Sequence, residues 1–120
     1  MANPDHVEFV RQGVEAIRQW REKSADSRLD LGDADLRGAN LDEADLEDAD
    51  LHRADLREAT LRGTSLHMTN LAEAKLYRAD LAEADLREVN LSRANLHGLR
   101  GAHQVRGLDT GRLIEGDECT

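Results

Sequence analysis

The sequence predicts an all-β solenoid, in which the chain winds as a stack of short coils around a narrow core of leucine and alanine. Leucine recurs at every fifth position from Leu31 to Leu96, in fourteen consecutive units. Alanine stands two residues before the leucine in ten of these units, and a small polar residue, usually Asp or Asn, lies between them. An uninterrupted repeat of this length indicates one structural unit stacked many times.

A period of five fits neither an α-helix nor a straight β-strand. Five residues turn an α-helix by about 500°, about 140° beyond a full turn, so the leucines would spread around all of its faces. In a straight strand the two faces alternate with period two, so successive leucines would point to opposite sides. We therefore expect the chain to turn a corner in every unit, so that each leucine and the alanine before it point to a common axis.

Charges along the sequence favour four units, or 20 residues, in each coil. With this register Asp33, Arg53, Glu73 and Arg93 form one column in which the sign of the charge alternates. A three-unit coil would instead place Asp33 next to Asp48, so that like charges meet. Opposite charges on neighbouring strands contribute about 0.2–1 kcal/mol per pair, which favours a four-sided coil with successive coils about 4.8 Å apart.

The repeated units resemble the pentapeptide-repeat family. They read Ala-Asp-Leu-Arg-Gly at 34–38, Ala-Asn-Leu-Asp-Glu at 39–43 and Ala-Asp-Leu-Glu-Asp at 44–48. The resemblance implies a right-handed quadrilateral parallel β-helix, in which the central leucine fills the core and the alanine packs beside it. It also implies that these leucine and alanine positions have no binding role. Residues 13–22 are similar to a leader that precedes the repeats in some bacterial members.

The repeats are expected to carry caps, because an uncovered terminal coil exposes backbone groups and apolar surface. Residues 1–28 are predicted to form an N-terminal capping α-helix and linker, with Asn3 as N-cap, Pro4 at the first helical position and an end near Lys23. The β-helix itself is assigned to residues 29–100 and a C-terminal cap or tail to residues 101–120. The apolar residues of the helix have helical spacing and should cover the first coil: Val7, Val10, Val14, Ile17 and Trp20.

The C-terminal segment leaves the oligomeric state open. After Leu96 the five-residue pattern decays, and Gly101 stands where the next leucine is due. Four apolar residues follow that can either fold over the last coil of a monomer or pair with a second molecule in a homodimer: Val105, Leu108, Leu113 and Ile114.

Composition and charge exclude several classes of protein. The formal net charge of −9 repels phosphates and anionic lipid, so we expect neither direct nucleic-acid binding nor a membrane partner. The N-terminus lacks the basic and apolar stretches of a secretory signal, and no apolar run is long enough to span a membrane, so a cytoplasmic location is expected. Cys119 has no second cysteine to pair with and is interpreted as a surface thiol.

No pattern in the sequence predicts catalysis, a cofactor or a metal site. Calcium-binding β-rolls need a Gly-Gly pattern that is missing here, and no phosphate-binding glycine loop or nucleophile motif occurs. We therefore expect that the protein is not an enzyme. The histidines do not have the spacing of zinc ligands and are expected at outward, solvated positions: His6, His52, His67, His97 and His103.

The main asymmetry of the outward positions is acidic. Residues 29–55 contain ten acidic and two basic side chains. The favoured function is a non-enzymatic scaffold that presents a charged surface to a protein partner. Its candidate acidic patch on the first coils consists of Asp33, Asp42, Glu43, Asp45, Glu47, Asp48 and Asp50.

Two other interpretations of the acidity remain open. The family resemblance implies, as an alternative, an acidic rod that mimics duplex DNA, binds a type II topoisomerase (DNA gyrase), and modulates it or protects it from inhibitors. The third interpretation is that the patch is only a solvated face without a partner.

Overall fold

Two short helices precede the repeats in the computed structural model, which describes residues 2–24 and 28–101. Helix α1 spans Pro4–Gln12 and helix α2 spans Val14–Lys23. The side-chain oxygen of Asn3 accepts the backbone N–H of Asp5 at 2.9 Å, and Pro4 opens the first turn. The predicted start of the helical segment is therefore confirmed, since Asn at the N-cap and Pro directly after it both suit a helix N-terminus.

The single helix predicted to run to Lys23 is wrong in one respect, because it is broken at Gly13. The φ angle of Gly13 is +111°, in the region that favours glycine. Its N–H donates to the carbonyl of Val10 and ends α1, while its own carbonyl accepts the N–H of Ile17 in the first turn of α2. One glycine thus serves as C-cap and N-cap, a role that apolar spacing alone did not reveal.

The apolar side of both helices packs against the core of the repeats. Val10 and Ile17 are completely buried. The other apolar residues that were predicted to cover the first coil, Val7, Val14 and Trp20, are partly buried against the same core. Phe9, which was not among the predicted residues, is also partly buried there. Trp20 stacks on Phe9 with 5.4 Å between ring centroids, so this tryptophan takes part in the packing of the helices.

Parallel bridges in the repeats join residues that are twenty positions apart. Asp30 pairs with Asp50, and the series continues without a gap to Asp80 with Arg100. Four units therefore complete one coil, as the alternating charges predicted, and a three-unit coil is excluded. Among the described residues the extended structure is limited to isolated bridges, one per unit, instead of longer strands.

Each unit turns its corner with the same backbone conformation. The carbonyl of each central leucine accepts the N–H of the residue three positions on, as in Leu36 and Ala39 at 3.1 Å. The residue two after the leucine has a φ angle between 59° and 68° in all fourteen units, although eleven of these residues are not glycine. A positive φ at the third residue of a turn is typical of type II turns.

The small polar residue before each leucine supports the adjacent turn. In ten units its side-chain oxygen accepts the N–H of the residue after the leucine, as from Arg37 to Asp35 at 3.2 Å and from Ala72 to Asn70 at 3.0 Å. Asp and Asn suit this position because their short side chains reach a backbone N–H two residues further on. The preference seen in the sequence is therefore a backbone requirement.

The core is a column of leucine flanked by alanine. The central leucines are almost all fully buried, and only Leu91 in the last coil is partly exposed. Two threonines take alanine positions and are buried, with their hydroxyl groups bonded to backbone carbonyls: Thr64 donates to Leu41 at 2.7 Å and Thr69 donates to Leu66. The hydroxyls are thus accommodated without unpaired polar atoms.

Stacked units define four sides of the solenoid, numbered by their order along the chain. Within each coil, one unit separates the second side from the fourth, and one unit separates the first side from the third. The first side is centred on Leu31, Leu51, Leu71 and Leu91; the second on Leu36, Leu56, Leu76 and Leu96; the third on Leu41, Leu61 and Leu81; the fourth on Leu46, Leu66 and Leu86.

Several sequence-based expectations concern residues beyond the described part of the chain. These are the C-terminal cap or dimer segment after Gly101, with its four apolar residues, together with His103 and Cys119.

Candidate interaction surface

The seven residues of the predicted acidic patch lie on three different sides. Asp33 and Asp50 belong to the first side, Asp42 and Glu43 to the third, and the remaining three to the fourth. Asp42 and Asp50 are half-buried, whereas the other five are exposed. The structure therefore brings together on one side only Asp45, Glu47 and Asp48.

Two carboxylates of the patch take part in backbone hydrogen bonding. The Oδ1 atom of Asp42 accepts the N–H of Arg62 in the next coil at 2.9 Å, and Oδ1 of Asp50 accepts the N–H of His52 at 3.0 Å. Their half-buried positions fit this use. These two residues hold the turns of the solenoid and offer little free charge to a partner.

Two other carboxylates of the patch have an arginine neighbour. Arg53 lies above Asp33, with 3.3 Å between Nε and Oδ1, which is the pair that the 20-residue column predicted. Asp45 lies 3.8 Å from Arg21 of helix α2. These pairs are solvent-exposed on at least one partner and contribute little to stability.

The fourth side carries further acidic residues above those of the predicted patch. The coil that follows adds Ser65, His67 and Met68, and the next adds Asp85, Arg87 and Glu88. Five acidic residues and one basic residue give the three described repeat units of this side a formal charge of −4, and Arg21 and Arg28 border its lower edge. Asp85 and Glu88 lie outside the 29–55 stretch, so the linear charge count missed them, although the 20-residue register places them above Asp45 and Asp48.

His67 connects three coils on the fourth side. Its Nδ1 lies 3.5 Å from the carboxylate of Glu47 below, and its Nε2 lies 3.0 Å from Glu88 above. His67 and His52 take the expected outward positions and are partly exposed, but their rings also contact carboxylates, since Nε2 of His52 lies 3.1 Å from the carboxylate of Glu73. A central imidazole that spans two carboxylates keeps their side chains in defined positions.

The Arg87 guanidinium fixes the ionisation of its neighbour. Its two hydrogen bonds to Asp85, at 2.9 and 2.7 Å, lower the pKa of that carboxyl to about 2. The same two-residue spacing recurs on the second side, where Arg37 holds the pKa of Asp35 well below the ordinary value of a carboxyl and Arg57 lowers the pKa of Asp55. All three carboxylates are therefore charged at neutral pH.

The second side has the opposite character. Three acidic and four basic residues give it a formal charge of +1. One of its columns runs Arg37, Arg57, Tyr77 and His97, in which the last two rings stack with 5.5 Å between centroids. Arg37, Arg57 and Tyr77 line a shallow groove of ≈ 420 Å³ beside Gly38, whose missing side chain leaves the space open. The solenoid is thus electrically polarised across its width.

The described residues show no arrangement suited to metal binding or to crossing a membrane. Within residues 2–24 and 28–101, no group of three or more His, Cys, Asp or Glu side chains is placed to hold a metal ion. Neither α1 nor α2 is long and apolar enough to span a bilayer.

A stack of 20-residue coils with leucine and alanine inside and charged residues outside defines a repeat solenoid. The pentapeptide-repeat model matches eight copies over residues 30–67 and 69–100, more than half of the chain, and the chain therefore belongs to the pentapeptide-repeat family. Members of this family fold as right-handed β-helical solenoids, and they are generally non-enzymatic proteins that act as interaction scaffolds.

Solved structures similar to this chain are also pentapeptide-repeat proteins. One, from the thylakoid lumen of Arabidopsis thaliana, has 31% sequence identity and a TM-score of 0.61, and the match covers 72% of this chain and 57% of that one. Another, from Nostoc PCC 7120, has 34% identity and a TM-score of 0.39, with 78% and 88% covered. A third, from the same cyanobacterium, is involved in the regulation of heterocyst differentiation; it has 35% identity and a TM-score of 0.38, with 57% and 39% covered.

The expected cytoplasmic location is contradicted by the Arabidopsis structure, which comes from the thylakoid lumen. A solenoid held together by leucine packing and backbone hydrogen bonds needs neither disulfides nor a reducing environment, so composition and fold do not determine the compartment. No curated protein matches the chain.

Proposed function

We propose that the protein is a non-enzymatic interaction scaffold whose fourth side binds a basic, partly apolar segment of a protein partner. The repeats would form a right-handed quadrilateral coil, with α1 and α2 as its N-terminal cap. The observation that carries the proposal is the charge difference of five between the second and fourth sides, +1 against −4. Charge complementarity of this kind selects partners and accelerates their association.

An exposed apolar side chain at the centre of the acidic side supports a mixed partner. Met68 is 50% exposed, and the 20-residue register places it between Asp48 below and Glu88 above. Methionine adapts its shape to different apolar groups, and exposed apolar residues ringed by charge are typical of binding surfaces. A partner segment that combines lysine or arginine with one apolar anchor matches this arrangement.

The fourth side is also rigid enough to serve as a template. The two lower units of this side are each tied to the unit above by backbone hydrogen bonds, such as Leu46 to Ser65 at 2.9 Å and Asp48 to His67 at 2.9 Å. His67 and Arg87 then hold the carboxylates of Glu47 and Asp85. A preorganised surface loses little conformational entropy when it binds.

The test compares two triple variants that remove the same amount of charge from different sides. The fourth-side variant carries Glu47→Gln, Asp48→Asn and Glu88→Gln. The control variant carries Glu43→Gln, Glu58→Gln and Glu83→Gln, all at exposed corner positions of the second and third sides. Binding of a labelled amphipathic peptide of alternating lysine and leucine is measured by fluorescence anisotropy, with circular dichroism as the check on folding.

We expect the fourth-side variant to weaken peptide binding by about tenfold, which corresponds to about 1.4 kcal/mol, and the control variant to weaken it less than about twofold. Equal losses in both variants would show that the peptide responds to net charge alone, and the fourth side would then be only a solvated face.

A second candidate function, mimicry of duplex DNA at a type II topoisomerase, is favoured by the net charge of −9. It is the weaker proposal, because the positive second side interrupts the uniform negative field that a DNA mimic needs. Gyrase supercoiling assays with and without a fluoroquinolone distinguish the two functions. A change in either assay at micromolar protein would favour mimicry over the scaffold.

A further inference from the structure

The first coil of the solenoid has no coil beneath it, and the N-terminal helices take over its hydrogen bonds. In higher coils the bridge carbonyls accept an N–H from the coil below, as Asp50 accepts from Leu31 at 2.8 Å. In the first coil the N–H of Asn3 bonds to the carbonyl of Asp30 at 3.0 Å, and the Arg11 side chain bonds to the carbonyl of Asp35 at 2.5 Å.

Further around the first coil, arginine side chains supply the donors that a lower coil would otherwise provide. Arg21 of helix α2 donates to the carbonyl of Asp45 at 3.2 Å and to that of Glu47 at 2.8 Å, and Arg28 donates to the carbonyl of Asp48 at 2.7 Å. Guanidinium groups stay protonated across the physiological pH range, so these contacts keep their donors. The first coil also has a backbone N–H that needs an acceptor, and this acceptor can change its protonation.

His6 of helix α1 supplies an acceptor to the first coil. The backbone N–H of Asp30 donates to its Nδ1 at 2.9 Å, in the place where the N–H of Asp50 donates to the carbonyl of Leu29 one coil higher. A backbone N–H can only donate, so Nδ1 must carry a lone pair and the proton must lie on Nε2. This contact therefore requires a neutral imidazole.

The surroundings of His6 hold its ring in place. The ring lies 5.6 Å from that of Phe9 and 5.1 Å, edge to face, from that of Trp20. The three elements that contact this ring carry several charged residues. Helix α1 carries Asp5, Glu8 and Arg11; helix α2 carries Arg21, 5.5 Å from the Trp20 ring; the first two coils carry the bridged pair Asp30 and Asp50.

We propose that His6 makes the attachment of the N-terminal helices to the first coil sensitive to pH. Histidine takes up its second proton in the range of about pH 5 to 8. When His6 is protonated, Nδ1–H faces the N–H of Asp30 and this hydrogen bond is lost, so the contact between α1 and the first coil opens locally while the arginine contacts remain. Because the contact needs a lone pair on Nδ1, the neutral ring supports the attachment and the protonated ring opposes it. This device is independent of the partner proposed for the fourth side.

The experiment follows the backbone amide of Asp30 by hydrogen exchange and NMR at pH 7.5 and pH 5.0, with correction for the intrinsic exchange rate. The His6→Asn variant places an oxygen acceptor close to the Nδ1 position but does not titrate. The matched control is His52→Gln, which removes a different titratable imidazole. Fluorescence of Trp20, the only tryptophan of the chain, reports the same contact independently.

We expect the protection of the Asp30 amide to fall by about tenfold or more in the native protein at pH 5.0, corresponding to about 1.4 kcal/mol of local stability. The His6→Asn protein should keep its protection at both pH values, and His52→Gln should behave like the native chain. Equal protection at both pH values in the native chain would overturn the proposal, as would a full pH response in His6→Asn. Long-range ¹H–¹⁵N spectra that place the proton on Nδ1 at pH 7.5 would also overturn it.

Discussion

Substitution of Leu66 by a carboxylic acid tests the architecture most directly, because this residue lies in the middle of the core. Leu66 is 1% exposed, and the 20-residue register places Leu46 below it and Leu86 above it. We consider two replacements of nearly the same size, Leu66→Asp and Leu66→Asn. Both remove a buried leucine, but only the first introduces a group that titrates.

The loss of packing should cost both variants about 2–5 kcal/mol, the range for truncation of a buried leucine. The aspartate carries an additional cost at neutral pH, since burial of a carboxylate without a partner raises its pKa by up to about 3–5 units. At pH 7 this adds about 4 kcal/mol, because at about 1.4 kcal/mol per unit the cost grows only from the ordinary pKa of about 3.9 up to the ambient pH, above which the folded chain keeps the proton. The sum is comparable with the entire stability of a small protein, about 5–15 kcal/mol. Leu66→Asp should therefore be unfolded at pH 7.

The two variants should differ in their response to pH. The pKa of the carboxyl introduced by Leu66→Asp would be higher in the folded chain than the ordinary value of about 3.9, so the folded state binds the proton more tightly. The aspartate variant therefore regains stability as the pH falls toward 4, and loses it as the pH rises through the raised pKa. The asparagine variant has no such group and provides the reference for all other titrations in the molecule.

The measurement is urea unfolding followed by far-ultraviolet circular dichroism at several pH values, with the free energies of the two variants subtracted at each pH. At the acidic pH values where both variants fold, the difference should grow by about 1.4 kcal/mol for each pH unit above about 4, until the aspartate variant is unfolded near pH 7. A stable Leu66→Asp protein at pH 7, or a difference that does not depend on pH, would refute the assignment of Leu66 to a closed apolar core.

Two further predictions concern the corners of the coil. Removal of the guanidinium in Arg87→Gln should raise the pKa of Asp85 from about 2 toward its ordinary value, as measured by carboxyl NMR titration. The stability that the lowered pKa provides is present above the ordinary value and is lost as the pH falls through about 2. An unchanged pKa of Asp85 in the variant would show that the pair is absent in solution. Gly101→Ala should lower the Tm in thermal unfolding more than Gly38→Ala does, although the two glycines have similar φ angles of +70° and +66°. The reason is that a Cβ at Gly101 would lie 2.8 Å from the backbone of Ala82, whereas a Cβ at Gly38 would have no neighbour within 4 Å. Equal changes in Tm would contradict this close approach.

Much of the repeat could be predicted from the sequence because its information is periodic. The column of Asp33 and Arg53 identified the 20-residue coil, and the structure confirms both the bridges and this ion pair. The corner conformation was not predicted. Residues such as Glu43 and Arg78 take a positive φ that residues with a side chain normally avoid. The amino acids at these positions show no preference for glycine or asparagine that would have indicated this conformation. The requirement arises only when the chain must close a coil.

The candidate site could be predicted only in part, because charge was counted along the chain and not around the coil. Asp33 and Glu43 are close in sequence but belong to sides two steps apart, whereas Asp85 lies forty residues beyond Asp45 and shares its side. The role of His6 depends on a contact with Asp30, 24 residues away, and had no signal in the local pattern.

The sequence by itself determined the inside of this protein. Leu66 and the other central leucines, with the alanines beside them, recur at a fixed interval, and burial of apolar surface acts on every copy in the same way. Only the tertiary structure decided the outside. Which charges share a side, which carboxylates are used by the backbone, and how Gly13 and His6 join the helices to the first coil all depend on distances between residues far apart in sequence, and no local propensity encodes those distances.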